Sequence, residues 1–300
     1  MIARILALAL AVVVTVPAAS AVSLAATTTD PCADPTPHPP IAILGDDDFA
    51  RPGNGVVGGA GTPADPYVIC GWDIAPQGVD GILLKDTTRH VVIRNNVVHD
   101  SLVEVKHYDT SGVVPLDKRI RAGVYLYNAE NVVVADNEIV RMEWAISVTV
   151  CACFLIPGAD GIAVEFSSGV TVTGNRLERN SAFGARLRES TDVVFCGNVV
   201  RENRGHGVGV YNVPGVLLCG NDVRDNHAPT ELIVSASPGA QVVDNVVCGH
   251  HFAGVAITFG SHGSLVARNA LAGAQNPIHV QGSDGVTVQD NVLLPACPTA

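Results

Sequence analysis

The sequence predicts an all-β chain wound into a parallel solenoid of roughly nine rungs, each about 23 residues long. Two observations predict this fold: short units built on an asparagine recur along most of the chain, and apolar residues alternate with variable ones inside each unit. The composition agrees, because 47% of the 300 residues are hydrophobic but only 5% are aromatic and 16% are charged. So low a charged fraction argues against coiled coils and long solvated helices.

The repeat is marked by an asparagine that is followed two positions later by an aliphatic residue. The eight asparagines are Asn96, Asn137, Asn175, Asn198, Asn221, Asn245, Asn269 and Asn291. Their spacings are 41, 38, 23, 23, 24, 24 and 22, so five of the seven fall within one residue of 23. Since equivalent residues stack in a solenoid, we expect these amides to form a structural hydrogen-bonded ladder.

Four further positions of the repeat are apolar in every unit. Two follow, by one and three residues, a glycine site that precedes most of the asparagines by 14 or 15 residues. The other two lie three residues before the asparagine and two residues after it. A spacing of two indicates a strand with one buried face, and short strands within a long period indicate stacked rungs that share a core.

The N-terminus predicts export. Residues 1–21 combine Arg4, an apolar run over residues 5–16 and small residues before a cleavage point, which is typical of a secretory signal peptide. The alternative is a retained membrane anchor, for which the apolar run is short. Residues 22–40 are predicted to form a Pro/Thr-rich tether and residues 41–300 the β-helix domain. We expect a secreted, periplasmic or cell-surface protein without membrane contact after cleavage.

The charge balance opposes one class of partner. The chain has 18 Lys and Arg against 29 Asp and Glu, giving a formal net charge of −11. Nucleic acid requires a basic surface, so no nucleic-acid partner is expected.

Eight cysteines in an exported chain predict disulfides. The candidates are Cys32, Cys70, Cys151, Cys153, Cys196, Cys219, Cys248 and Cys297. Cys196 and Cys219 share one position of the repeat in consecutive rungs, where a strand spacing of about 4.8 Å suits a disulfide.

For the other cysteines the sequence leaves the connectivity open. Cys70 could join the first rung to Cys32 in the tether, and Cys297 could hold the C-terminal tail to Cys248. The Cys151-Ala-Cys153 pair suits a local or loop-stapling disulfide, with a redox or soft-metal site as the alternative.

The stretch GNGVVGGAGTPADPYVICGWDI (residues 53–74) and the units GILLKDTTRHVVIRNNVV and GVYLYNAENVVVADNEI resemble the right-handed parallel β-helix family. More narrowly, they resemble the NosD-type periplasmic repeat proteins of the pectin-lyase-like superfamily. The resemblance implies a right-handed coil over roughly residues 41–294. It leaves function open, because the superfamily includes polysaccharide lyases, glycoside hydrolases, epimerases and adhesins, while NosD is associated with copper-enzyme maturation. Trp72 stands where a first asparagine would be, and we expect it to cap the ladder.

Two insertions interrupt consecutive rungs, roughly at residues 99–121 and 141–159, and we expect them to leave one edge as neighbouring loops. Long loops on a rigid scaffold often determine specificity; the alternative is a lid packed over the coil. His107 in the first insertion and Trp144 in the second are candidate binding residues.

The outward positions of the strand that follows the glycine bring tyrosines and charged residues together. Tyrosine rings can stack on sugars, and cations can hold carboxylates or hydroxyls. For Glu165 and Arg188, one rung apart, the alternative is an ordinary surface ion pair. The candidate glycan-binding residues of this strand are Lys85, Tyr125, Tyr127 and Tyr211.

Catalytic patterns are sparse. Gly205-His206-Gly207 matches a polygalacturonase motif, but the paired-aspartate motifs of that family are missing from the expected rungs. Glycoside hydrolysis needs two positioned carboxylates, and a lyase needs a cation and a base. The weak catalytic candidates are Asp160, Glu165, Arg186, Arg188 and His206.

No cofactor is predicted, although calcium could bind the acidic segment 45–48, for which a solvated turn is the alternative. The leading hypothesis is a non-catalytic carbohydrate-binding or surface module whose partner is a polysaccharide or cell-surface glycan. The alternatives are a lyase or hydrolase-like enzyme acting on an acidic glycan, and a NosD-like periplasmic accessory protein for a metalloenzyme.

Overall fold

A computed structural model of the chain describes residues 31–105, 121–146, 158–249 and 252–298. Within these ranges the regular structure comprises 29 β-strands and the 3-10 helix Asp46–Ala50. The strands form three sheets, and the chain visits the sheets in the same order in each rung. The predicted signal peptide lies outside the described residues. No helix of the described part is long and apolar enough to cross a membrane.

Sheet 1 contains the strands that follow the glycine site. They are Ile41–Leu44, Ile82–Thr87, Arg121–Ala129, Ala159–Glu165, Ala185–Arg188, Val208–Tyr211, Thr230–Ser235, Ala253–Thr258 and Asn276–Gln281. Sheet 2 contains the strands that precede the asparagine. They are Val56–Gly58, Tyr67–Cys70, Val91–Arg94, Val132–Ala135, Ser168–Thr173, Thr191–Cys196, Leu217–Cys219, Gln241–Val243, Leu265–Ala267 and Thr287–Gln289.

Sheet 3 contains the strands that follow the asparagine. They are Thr36–Pro37, Trp72–Ile74, Val97–Val105, Glu138–Ile146, Arg176–Glu178, Val199–Arg201, Asp222–Arg224, Val246–Cys248, Ala270–Ala272 and Val292–Leu293. Strands pair in parallel between successive rungs, while Val56–Gly58 lies antiparallel to Tyr67–Cys70. The predicted parallel β-helix and its rung number are confirmed.

The core is a stack of aliphatic side chains inside the coil. The four predicted columns point inward, as Val164, Val172 and Leu177 show with no exposed surface. A fifth inward column lies five residues before each asparagine, and it is buried in every rung except the last, where Val286 is half-buried. The apolar pattern did not reveal this column, because the later rungs place Ala240 and Ser264 there.

The asparagine ladder connects successive rungs. The backbone N–H of Asn175 donates to Oδ1 of Asn198 at 2.9 Å, and the Asn175 side-chain amide donates to the same oxygen at 3.0 Å and to the Val134 carbonyl at 2.9 Å. The pattern repeats along the coil. At the N-terminal end, the backbone N–H of Trp72 donates to Oδ1 of Asn96 at 3.1 Å, so Trp72 occupies the capping position expected for it.

A second ladder lies five residues after the first. Asn180, Asn203 and Asn226 are fully buried, and each of the first two donates its backbone N–H to the amide oxygen of the next at 3.0 Å. Glu231 ends this ladder, because its Oε2 accepts from the Asn226 amide at 2.7 Å. Burial raises the pKa of Glu231 to about 7, against which the hydrogen bonds from Asn226 act.

Buried serines form a third, interrupted ladder at the turn between sheets 1 and 2. The hydroxyl oxygens of Ser167 and Ser190 accept the backbone N–H groups of Ala129 and Ser167, both at 3.1 Å. The N–H of Ser237 likewise donates to the hydroxyl of Ser261. In several rungs, two further corners are thus joined to the neighbouring rung by side chains that the aliphatic repeat does not reveal.

The N-terminal end of the coil is covered. Thr36–Pro37 pairs with Trp72–Ile74, and the predicted disulfide between Cys32 and Cys70 is present. The Phe49 ring from the 3-10 helix stacks on Tyr67 with ring centroids 4.4 Å apart. Residues 31–40, predicted as part of a tether, therefore lie against the first rung, held there by the disulfide and the added strand.

The remaining cysteines differ in their outcomes. Cys196 and Cys219 are paired partners in sheet 2 and form the predicted disulfide. Cys248 and Cys297 are free thiols here, so their predicted bridge is not formed in this structure. Burial and the neighbouring Cys297 thiol raise the pKa of Cys248 to about 12, which disfavours the reactive thiolate. The Cys151 and Cys153 pair lies outside the described residues.

Residues 99–105 and 141–146, predicted as parts of loops, are instead strand residues of sheet 3. The described residues that flank the two insertions lie in neighbouring strands. These strands pair in register, since Val105 lies opposite Ile146 and Arg121 opposite Ala159. Residues 106–120 and 147–157, which include His107, lie outside the described residues. The backbone of Trp144 pairs with Val103 at the point where sheet 3 extends toward the insertions.

Asn198→Ala should cost more stability than the same substitution at an exposed side-chain amide. The Asn198 side chain accepts from the Asn175 N–H at 2.9 Å and donates to the Val172 carbonyl at 3.0 Å, and it is fully buried. The substitution leaves the buried Asn175 N–H and Val172 carbonyl without these hydrogen bonds, which should lower the free energy of unfolding by about 1–3 kcal/mol. Gln77→Ala, at an exposed position with a negative φ, should cost less than about 0.5 kcal/mol. Denaturant unfolding of both variants measures the difference, and equal losses would contradict a structural ladder.

Candidate functional site

The outer face of sheet 1 brings the predicted site residues into two adjacent rows. One row aligns Lys85, Tyr127, Glu165, Arg188 and Tyr211 from consecutive rungs, as the strand register shows. The predicted placement of these side chains in a single outward column is confirmed.

The neighbouring row, two residues earlier on each strand, contains Tyr125, Ala163 and Arg186. Its members alternate with inward residues of the same strands, so they share the outer face. Tyr125, predicted as a glycan-binding residue, is only 8% exposed, because it packs with Ala163 and Tyr127 in a small apolar cluster on this face.

Aromatic side chains are concentrated on this face. The chain has seven phenylalanines and five tyrosines, and seven of these twelve residues lie in the strands of sheet 1 or within two residues of their ends. The alternating pattern predicts the positions of the tyrosines but not those of the phenylalanines, which lie at turns outside this pattern. The seven residues are Tyr125, Tyr127, Phe166, Phe183, Tyr211, Phe252 and Phe259.

Glu165 is fixed at the centre of the first cluster. Its Oε2 accepts a hydrogen bond from the Tyr125 hydroxyl at 2.8 Å, and its Oε1 lies 3.8 Å from Nη1 of Arg188. The Tyr127 ring meets Tyr125 edge-on with centroids 6.1 Å apart, and Nζ of Lys85 lies 5.6 Å from the Tyr127 centroid. The ion pair predicted between Glu165 and Arg188 is present, and it lies within a cluster that also contains Tyr125 and Tyr127.

Phe166 projects beside this cluster in an unfavourable backbone conformation. Its φ is 51°, its residue surface is 47% exposed, and its ring contacts Tyr127 edge-on at 5.4 Å. Phe259 occupies the same turn position four rungs later, with a φ of 45° and a residue surface that is 66% exposed. Bulky residues at positive φ are rare, so the fold holds two exposed rings at some conformational cost.

Arg186 is held by a buried ion pair. Its Nη2 lies 2.9 Å from Oδ1 of Asp160, which also accepts the Phe183 backbone N–H at 3.0 Å. The guanidinium carbon lies 4.5 Å from the Phe183 ring centroid. Burial raises the pKa of Asp160 to about 6, although Arg186 acts in the opposite direction. Asp160 has no exposed surface, so it can position Arg186 but cannot contact a bound chain.

His206 lies beside Phe183, with ring centroids 5.3 Å apart. Its Nδ1 is 2.6 Å from the Thr230 carbonyl oxygen, which can only accept, so Nδ1 carries the proton and Nε2 does not. Burial lowers the pKa of His206, which keeps the imidazole neutral at pH 7. Burial also raises the pKa of the nearby Tyr211, whose ring lies 6.3 Å from that of Phe183.

The acidic segment proposed for calcium uses its carboxylates within the protein. Asp46 accepts from the hydroxyls of Thr87 and Thr88 at 2.7 and 2.9 Å, and Asp48 accepts the Leu44 N–H at 2.8 Å. No group of three or more His, Cys, Asp or Glu positioned to hold a metal occurs among the residues that the structure describes.

A separate cleft of about 370 Å³ lies beside the first strands of sheet 3. It is lined in part by Pro37, His38 and His99. His99 lies between two carboxylates, with Nε2 2.6 Å from Asp73 and Nδ1 2.8 Å from Asp100. Partial burial lowers the pKa of His99, but the two carboxylates outweigh it and raise the pKa. Both ring nitrogens are thus already engaged.

Arg186→Leu should destabilise the protein more at pH 8 than at pH 5. The Asp160 carboxyl has a pKa raised to about 6, so it is mostly protonated at pH 5 and ionised at pH 8. Without Arg186 the ionised carboxylate is buried without its counter-ion, which should cost about 3–5 kcal/mol at pH 8. Arg188→Leu is the matched control, because its side chain is 48% exposed and should cost less than about 1 kcal/mol at either pH. Denaturant unfolding at both pH values tests this, and a loss for Arg186→Leu independent of pH would contradict it.

Comparison with curated protein sequences gives no match. Among solved structures, the chain is similar to the A-module of mannuronan C-5 epimerase AlgE6 of Azotobacter vinelandii, with a TM-score of 0.50 and 19% identity. The similarity covers 77% of this chain and 65% of that module, so it spans less than two thirds of the module's length. At this identity it shows a common fold.

Two further solved structures are similar over most of the chain. The surface adhesin PfbA of Streptococcus pneumoniae has a TM-score of 0.48 and 14% identity, covering 86% of this chain and 69% of the adhesin. An endo-xylogalacturonan hydrolase from Aspergillus tubingensis has a TM-score of 0.41 and 10% identity, covering 89% of this chain and 87% of the hydrolase.

The family description "right handed beta helix region" matches residues 77–271, which is more than half of the chain. The matched segment contains the rungs from the second strand of sheet 1 to the Asn269 rung, including the whole aromatic cluster around Glu165 and Arg186. The chain therefore belongs to the right-handed β-helix family.

Proposed function

We propose that the outer face of sheet 1 binds a polysaccharide or cell-surface glycan without cleaving it. The observation that carries this proposal is the concentration of seven of the chain's twelve phenylalanine and tyrosine residues along one face. Buried aromatics would serve the core, but Phe166 and Phe259 are 47% and 66% exposed. Exposing these rings to water is unfavourable, and here the rings are also held at strained backbone positions. A ligand that stacks on the rings would offset these unfavourable contributions.

The rungs give the face a regular spacing. Successive strands of sheet 1 lie about 4.8 Å apart, so side chains of one row recur at that interval along the solenoid axis. A linear glycan lying parallel to the axis would meet a new ring or polar group at each rung. The two rows provide a strip about two side chains wide, which suits an extended chain better than a compact small molecule.

Polar groups of fixed orientation lie among the rings. Arg186 is held by Asp160 and Phe183, and Glu165 is held by Tyr125, so both present defined hydrogen-bonding groups. Lys85 and Arg188 have side chains that are 44% and 48% exposed and can reach ligand hydroxyls or carboxylates. Preorganised polar groups between apolar surfaces are the usual composition of a ligand site.

The burial of Asp160 supports binding over hydrolysis. Hydrolysis of a glycosidic bond requires two carboxyl groups on either side of the bond. Asp160 has no exposed surface and lies beneath Arg186, so Asp160 and Glu165 do not flank a common space on the face.

The two disulfides also support the predicted export, because such bonds persist in oxidising compartments.

Phe166→Ala and Tyr127→Ala should each weaken glycan binding by roughly tenfold, which corresponds to about 1.4 kcal/mol. Each variant removes a ring from the cluster around Glu165 while leaving the aliphatic core intact. A glycan array of neutral and acidic polysaccharides would identify the ligand, and calorimetric titration would measure the affinities of the wild type and variants.

The matched control is Val292→Ala, which trims a 55% exposed side chain of sheet 3. It should bind as tightly as the wild type. Absence of binding to any glycan, or equal affinity of all variants, would refute a binding role for this face.

His206 favours a second candidate, a polysaccharide lyase acting on an acidic glycan. In β-elimination a neutral base removes the proton next to a carboxylate whose charge a cation neutralises. The electron pair forms the new C=C bond, the glycosidic C–O bond breaks, and the leaving oxygen takes up a proton from the protonated base or from water. The unprotonated Nε2 of His206 and the nearby Arg186 could supply these two groups. The wild type would then release unsaturated uronides, His206→Ala would not, and activity would fall as acid protonates the imidazole. Binding without product in all polysaccharides would exclude this candidate.

A further inference from the structure

The C-terminal end of the solenoid is open. Val280, Val288 and Leu293 occupy inward positions in the last strands of sheets 1, 2 and 3, yet they are 41%, 48% and 65% exposed. Their counterparts one rung earlier are at most 1% exposed. The core columns therefore end in solvent, whereas the N-terminal end is covered by the 3-10 helix, an antiparallel strand and a disulfide.

The same end presents three strand edges. Asn276–Gln281, Thr287–Gln289 and Val292–Leu293 are each the last strand of their sheet, so one side of each backbone has no strand beside it in the described structure. Proteins commonly protect exposed edges with lysine or other charges. Residues 276–298 contain no lysine or arginine, and their acidic residues are Asp284 and Asp290.

The C-terminal tail lies elsewhere. The Leu294 N–H donates to the Leu271 carbonyl at 2.8 Å, and the Pro298 carbonyl accepts from Nη1 of Arg224 at 2.7 Å. Arg224 aligns with Cys248 and Ala272 across sheet 3, so the tail runs back over three earlier rungs. Residues 294–298 thus run along sheet 3, and within the described part of the chain no segment lies over the open end.

We propose that this open end binds the same end of a second copy of the chain. One rung of about 23 residues matches the roughly 20–30 residues that each partner contributes to a standard protein interface. A two-fold axis perpendicular to the solenoid would place the apolar columns of the two copies against one another. It would also bring the free strand edges together in antiparallel orientation, where they can exchange backbone hydrogen bonds.

The two-fold arrangement uses each open end once, so it predicts a closed dimer and no larger assembly. It leaves the outer face of sheet 1 accessible along both copies. The dimer is therefore independent of the proposed glycan binding, and each can fail without the other.

The test is the mass of the full chain in solution, measured by sedimentation equilibrium over a wide concentration range. The wild type should have twice the mass of one chain, and Val280→Lys should have the mass of one chain. Val79→Lys is the matched control, because Val79 is 42% exposed and lies in a rung near the opposite end. This variant should remain dimeric, and circular dichroism should show that both variants keep their β-structure.

Leu293→Lys is a second variant in case Val280→Lys does not fold, because its side chain is the most exposed of the three core-column residues. It should also be monomeric. A monomeric wild type, an assembly larger than a dimer, or dissociation of Val79→Lys to the same extent would overturn the proposal.

Discussion

The asparagine ladder is the constraint on which the rest of the structure depends. Each buried amide satisfies backbone groups of its own rung and of its neighbours, so adjacent rungs cannot shift by one residue without orphaning several hydrogen bonds. A one-residue slip would also turn the aliphatic columns outward. The ladder thus fixes the register in which Tyr127, Glu165 and Arg188 come to lie in one row.

Features that depend on register alone were predictable from the sequence. The row containing Lys85 and Tyr211 and the Cys196–Cys219 disulfide follow directly from counting positions relative to the asparagines. The depth of Asp160 was not predictable, because it is buried by Arg186 and Phe183 of the next rung. The direction of the phenylalanine side chains was not predictable either, because residues in turns follow no periodic pattern.

The site combines a rigid scaffold with locally strained groups. The backbone under Arg186 is held on both sides by parallel strands, and its guanidinium is held by an ion pair and a ring. Phe166, only one residue beyond its strand, adopts a left-handed conformation that bulky side chains avoid. Stacked rungs can hold such a residue because the neighbouring rungs, through the serine ladder at the same turn, determine its backbone path.

The Cys196–Cys219 bridge has a mechanical consequence. It joins equivalent positions of adjacent rungs and closes a loop with a sequence separation of 23 residues, which is one full circuit of the coil. If the chain were pulled from its two ends, rungs outside this bridge could peel away one after another and add their whole length. The bridged circuit would add almost none until the disulfide was reduced. The Cys32–Cys70 bridge would withhold the residues between its own cysteines in the same way, so extension under force would report the redox state of both bonds.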